Sequence, residues 1–187
     1  MQTAPGASLS DAAPSSTRAR RGLLVVLVVV AGGVYALDQV TKVLAVEQLS
    51  AGRTVPLVGE LLQLRLIRNP GAAFSFATGM TWVLTLVALA VVVVVVRSSR
   101  RIGSLPWALA LGLLLGGALG NLTDRLLREP GFGRGHVVDF IAYWHLFIGN
   151  VADIAIVAAA VMVLVLGARG TALDGTRSAP GRRRNRG

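Results

Sequence analysis

Four stretches of this chain stay apolar long enough to cross a bilayer, and shorter polar or alternating segments separate them. The first begins at Gly22, runs to Leu37 and continues past Asp38 to about Val46. The second covers 80–96 and ends in consecutive valines. The third covers 105–127; at about 1.5 Å per residue it reaches about 34 Å, enough for the hydrocarbon core. The fourth covers 148–166. Between the first two, residues 62–68 (Leu-Gln-Leu-Arg-Leu-Ile-Arg) alternate apolar and polar for most of their length, which predicts a strand. Residues 53–56 and 58–60 read as a short strand and a turn before it. The pattern predicts an all-α polytopic membrane protein with four transmembrane helices and a small extracytoplasmic β-sheet within about 47–79.

Composition agrees with this class: 53% of residues are hydrophobic and the mean hydropathy is +0.65. The absence of cysteine excludes disulfides, a thiolate nucleophile and a cysteine–zinc site. His136 and His145 are the only histidines, which speaks against a multi-histidine metal site, so no cofactor or metal is expected.

The net charge of +10 invites a nucleic-acid partner, but its distribution argues for a membrane. Basic residues cluster at Arg18, Arg20 and Arg21, at Arg97, Arg100 and Arg101, and from Arg169 through Arg177 to Arg186. Each cluster flanks an apolar span. By the positive-inside rule both tails and the connection between spans two and three face the cytoplasm, while 47–79 and 128–147 face outside. Residues 1–21 are expected to be a disordered cytoplasmic tail, 22–168 the transmembrane domain, and 169–187 a basic cytoplasmic tail whose arginine run, 182–186, meets anionic lipid. Residues 18–37 also fit a secretory signal peptide, and topology alone does not separate that reading from a retained span.

Candidate chemistry follows from charges in apolar surroundings. Asp139 lies in Val137-Val138-Asp139-Phe140-Ile141, and Asp153 in Asn150-Val151-Ala152-Asp153-Ile154. An ionised aspartate at a bilayer helix centre costs about 2.5–3.5 kcal/mol, so such residues usually carry function. Two carboxylates that can meet form a general acid–base pair, the arrangement aspartic proteases use. Asp139 falls in the loop leading to span four, so its approach to Asp153 is geometrically easy. Asn150 and Asp153 are at i and i+3; Asn121, Asp124 and Arg125 are at i, i+3 and i+4 at the outer end of span three; Asp38 and Lys42 are at i and i+4 at the outer end of span one. The last pair is either a helix-stabilising ion pair or part of a site. Arg125 is expected to find a partner other than Asp124, such as a lipid phosphate or a substrate carbonyl. Gly112, Gly116 and Gly120 form a ridge of small residues for close helix packing. Asn69-Pro70-Gly71 is turn chemistry, and the segment through Ser75 is a plain turn or a substrate-lining loop.

Taken together, Asp38-Gln39-Val40-Thr41-Lys42, Asn69-Pro70-Gly71-Ala72-Ala73-Phe74-Ser75, Gly120-Asn121-Leu122-Thr123-Asp124-Arg125-Leu126, Val137-Val138-Asp139-Phe140-Ile141 and Asn150-Val151-Ala152-Asp153 resemble the lipoprotein signal peptidase (type II signal peptidase) family of bacteria. They occur in the family's order. The resemblance implies that span one is retained, that the outer sheet is a small β-cradle, and that Asp139 and Asp153 are the catalytic pair. It places Asp38, Lys42, Asn69, Gly71, Asn121, Asp124, Arg125 and Asn150 near the substrate. It also implies a bacterial inner-membrane enzyme, probing no nucleic acid, needing no metal and acting as a monomer on a diacylglyceryl-modified prolipoprotein, which it cuts just before the modified cysteine. Two positions depart from the family's pattern: Gly149 stands where phenylalanine is common, expected to loosen the approach to Asn150, and Ile154 where serine is common, removing a hydroxyl beside Asp153.

Two other classes compete. A small transporter or proton relay would spread acids through the membrane depth, whereas these gather at one face. A structural subunit would use the polar groups as interhelical glue and leaves the ordered motifs unexplained.

Overall fold

The computed structural model describes residues 14–49, 52–71 and 81–177. Helix α1 spans Pro14–Gln48, α2 Thr81–Ser99, α3 Leu105–Leu127 and α4 Val151–Ala168. All four are long and apolar enough to cross a membrane. Strands β1 (Thr54–Val58), β2 (Leu62–Asn69), β3 (Val137–Tyr143) and β4 (Phe147–Gly149) form one antiparallel sheet in that order.

Several expectations change. The tail expected over 1–21 is helical from Pro14 onward: proline suits a first helical turn, and Arg18, Ala19, Arg20 and Arg21 favour helix. The sheet is not confined to 47–79, because half its strands come from the second outer segment. Asp139 therefore sits on a strand rather than in a loop. Span four starts at Val151 rather than at Ile148, which belongs to β4; Asn150 caps the helix and ends the strand. The loop residues 72–75, the outermost tail residues 1–13 and the arginine run at 182–186 lie outside the described residues.

α3 is the centre of the bundle, with α1, α2 and α4 packed around it. Its glycines explain why. A Cβ at Gly112 would sit 2.9 Å from the Leu27 carbonyl oxygen, and one at Gly116 would sit 2.6 Å from that of Ala31 and 2.7 Å from Val34 Cβ. Gly117 faces the other way, where a Cβ would lie 2.6 Å from the Ala152 carbonyl oxygen of α4. Buried Ala152, Ala155 and Ala159 complete that second seam.

The sheet rests on the end of α1. Val138 and Phe140 of β3 pack with Ala45 and Leu49. Strand alternation then sends Asp139 to the opposite face, opposite Ile67 of β2. The fold thus delivers Asp139 from the sheet and Asp153 from a helix start to the same end of the bundle.

Gly116→Ala is expected to destabilise the protein by about 1–3 kcal/mol through overpacking. Gly32→Ala, with nothing within 4 Å of its Cβ position, is expected to be neutral or to gain up to about 1 kcal/mol. Denaturant titration in detergent micelles measures both; equal losses at the two positions would show that the ridge does not set the helix spacing.

Candidate active site

Asn150 organises the site. As the N-cap of α4 it accepts from Asp153 N at 3.0 Å, while its own backbone N donates to Asp153 Oδ2 at 3.0 Å, a reciprocal capping box. The remaining Asn150 valence is its amide, and Nδ2 donates to Asp139 Oδ1 at 2.6 Å. One fully buried residue therefore binds both carboxylates, one through its main chain and one through its side chain. The same Nδ2 lies 3.3 Å from Asn121 Oδ1.

The other oxygens are held independently. Asn69 Nδ2 donates to Asp139 Oδ2 at 2.7 Å, and Asn69 Oδ1 accepts from Gly71 N at 2.8 Å. This turn needs Gly71, whose φ of +117° side chains rarely adopt. Asn121 Nδ2 donates to Asp153 Oδ1 at 2.9 Å. Burial, and then the nearby charge of Asp153, push the Asp139 carboxyl up to about 6; the hydrogen bonds from Asn69 and Asn150 and the charge of Lys42 pull the other way.

Beneath the pair lies an ion cluster. Lys42 Nζ is 2.8 Å from Asp38 Oδ2, 2.8 Å from Asp124 Oδ2 and 3.0 Å from Asn121 Oδ1. Asp38 Oδ1 accepts from Ala152 N at 2.9 Å, in the first turn of α4, where the helix dipole favours a negative charge. Asp124 also accepts from Val138 N at 3.1 Å and pairs with Arg128 at 2.5 Å. Asp38, Lys42 and Asp124 have 0% exposure; a charge at this depth is satisfied only by close partners, and these hold one another. Arg125 lies within electrostatic reach of Asp139, Asp124 and Asp153, and its buried Nη1 has no hydrogen-bond partner among the described residues.

Three features escaped sequence reasoning. Arg128 joins the ion cluster at i+4 from Asp124, a spacing that was visible. The Asn150–Asp153 spacing was read as a shared helix face, although Asn-x-x-Asp before an apolar run also signals a capping box. Tyr143 and Phe147 stack with centroids 4.6 Å apart. With Ile154, Val157 and Ala158 they wall an apolar cavity of about 350 Å³ that reaches Asp153. At Gly149 a Cβ would lie 3.3 Å from the Phe147 ring and 2.9 Å from Asp153 Oδ2, so Phe147 covers that space.

Residues 29–168 match the family model described as signal peptidase (SPase) II. Lipoprotein signal peptidases of Leifsonia xyli and Rhodococcus jostii are 53% and 55% identical over 168 and 169 residues, covering 89% of this chain and 78% and 83% of theirs. That of Mycobacterium avium is 49% identical, covering 91% of this chain and 92% of its own. A bacterial membrane enzyme solved by the in meso method at 1.9 Å resolution superposes with a TM-score of 0.65 at 26% identity, covering 74% of this chain and 90% of that one. A second, at 2.3 Å resolution, shares the fold with a TM-score of 0.69 over 83% of this chain and 94% of that one. This chain belongs to the signal peptidase II family.

Proposed function

We propose that the chain is an aspartic endopeptidase that removes the signal peptide of a prolipoprotein, cutting just before a cysteine that already carries a diacylglyceryl group. Family membership supports the prolipoprotein substrate and the protease activity. The aspartic chemistry rests above all on one observation: Asn150 donates to Asp139 and to Asp153 at once, so the two carboxylates meet in one fixed arrangement.

Two neighbouring carboxylates, buried Asp139 and half-buried Asp153, hold one proton between them, because both cannot ionise cheaply side by side. The ionised member takes a proton from a water, whose oxygen bonds to the scissile carbonyl carbon. The protonated member donates to the carbonyl oxygen. When the tetrahedral intermediate collapses, the carbon–nitrogen bond breaks and the amine leaves with a proton from the pair. Arg125 Nη1, an unsatisfied buried donor, suits a substrate carbonyl. The Asn69–Gly71 turn holds Asp139 against the sheet that grips the peptide. The cavity beside Asp153, walled by Tyr143, Phe147 and Ile154, suits an apolar part of the substrate. Asp38, Lys42, Asp124 and Asn121 act as positioning residues.

The orientation belongs to the same reading. Arg97, Arg100, Arg101 and Arg169 lie at the end away from the sheet, so that end faces the cytoplasm of a bacterial inner membrane and the dyad lies near the outer face of a monomer. A proton relay fits less well: among the described residues α2 carries no acid, and Asp38, Asp124 and Asp153 gather at the sheet end.

Purified protein given a lipidated prolipoprotein and an unlipidated copy should cleave only the first, with or without a chelator; cleavage of both would remove the lipid requirement. Asp139→Asn and Asp153→Asn should each lower kcat by about a hundred- to ten-thousandfold while the protein stays folded in detergent. Full processing by either variant would end the dyad assignment. The pH profile gives a separate check. Asp139 holds its proton below about pH 6 and releases it above, so kcat/KM should fall as pH rises through that value. Asn69→Ala removes a donor that favours the ionised form, so the falling limb should move to higher pH; a move to lower pH would contradict the assignment.

A further inference from the structure

The end of the bundle farthest from the dyad carries a built feature that the peptidase chemistry does not use. After α4 the chain folds back in a closed turn. Thr171 bridges Arg177, Ala172 N donates to Thr176 O at 2.8 Å, and the Asp174 carboxylate accepts from Thr176 N at 2.9 Å and Thr176 Oγ1 at 2.7 Å. The turn is clamped onto the connection between α2 and α3. Gly103 N donates to Leu173 O at 3.0 Å, and Trp107 Nε1 donates to Thr171 O at 3.1 Å. A side chain at Gly103 would overlap the main chain of Asp174, so the clamp requires glycine there. Arg20 of α1 joins it by donating to the Arg100 carbonyl.

The clamp shapes two cavities of about 380 Å³ each, and Arg100 and Arg101 line both. Arg97 and Ser98 complete the first with Leu173; Arg20, Leu23 and Ile102 complete the second with Asp174. Among the described residues, none of these arginines has a carboxylate within 4.0 Å, and Asp174 Oδ1 accepts both hydrogen bonds of its own turn. Four arginines around the two cavities thus lack an ion-pair partner among the described residues. Planar, weakly hydrated guanidinium forks match phosphate oxygens. Leu23 and Leu173, both partly exposed, pack against buried Ile102 and carry apolar surface up to the charged rim.

We propose that this clamp is a binding site for an anionic phospholipid, with the phosphate held by Arg100 and Arg101 and the acyl chains lying along the adjoining span surface. The positive-inside rule requires charge at this end but not a folded turn that walls cavities around it. A lipid fits better than a soluble phosphate because the cavities open where the apolar helices end.

The test uses the full chain in neutral detergent, with retention of phosphatidylglycerol counted by native mass spectrometry and its affinity titrated by thermal shift. Phosphatidylcholine and inorganic phosphate serve as comparison ligands. Arg100→Gln/Arg101→Gln should weaken phosphatidylglycerol binding about thirtyfold, the loss expected from two arginines at a lipid surface. Arg18→Gln/Arg21→Gln removes the same charge at the same end but lines neither cavity, and should change binding less than threefold, on the order of an unspecific charge effect. Gly103→Val should weaken binding without any change in charge. Peptidase activity without added lipid shows that each variant is folded, since the dyad lies at the other end. Equal losses in the two arginine pairs, equal affinity for phosphatidylcholine, or full competition by inorganic phosphate would each overturn the site.

Discussion

The Lys42 ammonium lies 2.8 Å from both Asp38 and Asp124 and donates to Asn121, and these contacts tie α1 to α3 at a depth where water cannot substitute for any of them. A buried pair of this kind adds little net stability, because desolvation cancels much of the attraction. Removing one partner is another matter: it leaves an uncompensated charge that costs about 3–5 kcal/mol. The cluster therefore acts as a register lock. Asp38 accepts from the first turn of α4, and Asp124 accepts from the backbone of β3. Each element that carries a candidate catalytic group is thus referred to the same ammonium.

Close packing makes this lock possible. The lysine stem reaches Asp124 only because α1 and α3 touch backbone to side chain at Gly112 and Gly116. At Gly120 a Cβ would collide with the Asp38 carboxylate itself, and would also sit 3.4 Å from Ala152 Cβ. Gly120 marks the point where α1, α3 and α4 converge, one residue before Asn121. The glycine ridge and the polar motif are one device: the first brings the helices together, and the second fills the small space left with groups that satisfy each other.

Much of this was legible in the sequence, and the exceptions have physical causes. Long apolar runs announce helices, and the run over 105–127 became α3 without adjustment. Strand β2 sets exposed Arg65 and Arg68 among partly buried neighbours, and a register shift between Leu64 and Ile67 breaks the strict alternation. Strand β3 was missed because it is buried on both faces, so Val137-Val138-Asp139-Phe140 shows no alternation to detect. The three-residue β4 is too short to signal at all. The two aspartates stood out by cost, and their meeting was foreseeable from the chain between them. Their mode of meeting was not: Asn150 both ends a strand and caps a helix, and only the folded chain brings the Asn69 turn against them.

The departures at Gly149 and Ile154 show how a site keeps its geometry while its wall changes. Gly149 is buried, and a phenylalanine there would have to displace Phe147, whose ring lies 3.3 Å from the Cβ position. The aromatic bulk of this wall sits at the start of β4, on Phe147, and stacks on Tyr143 of β3. Ile154 points outward from the first turn of α4 and extends the same apolar wall toward Val157. The carboxylates keep their hydrogen bonds because these come from Asn69, Asn121 and Asn150, none of which belongs to that wall. Wall and carboxylates share β3 and α4, yet Tyr143, Phe147 and Ile154 make none of the hydrogen bonds that aim the dyad, so these side chains can vary without disturbing them.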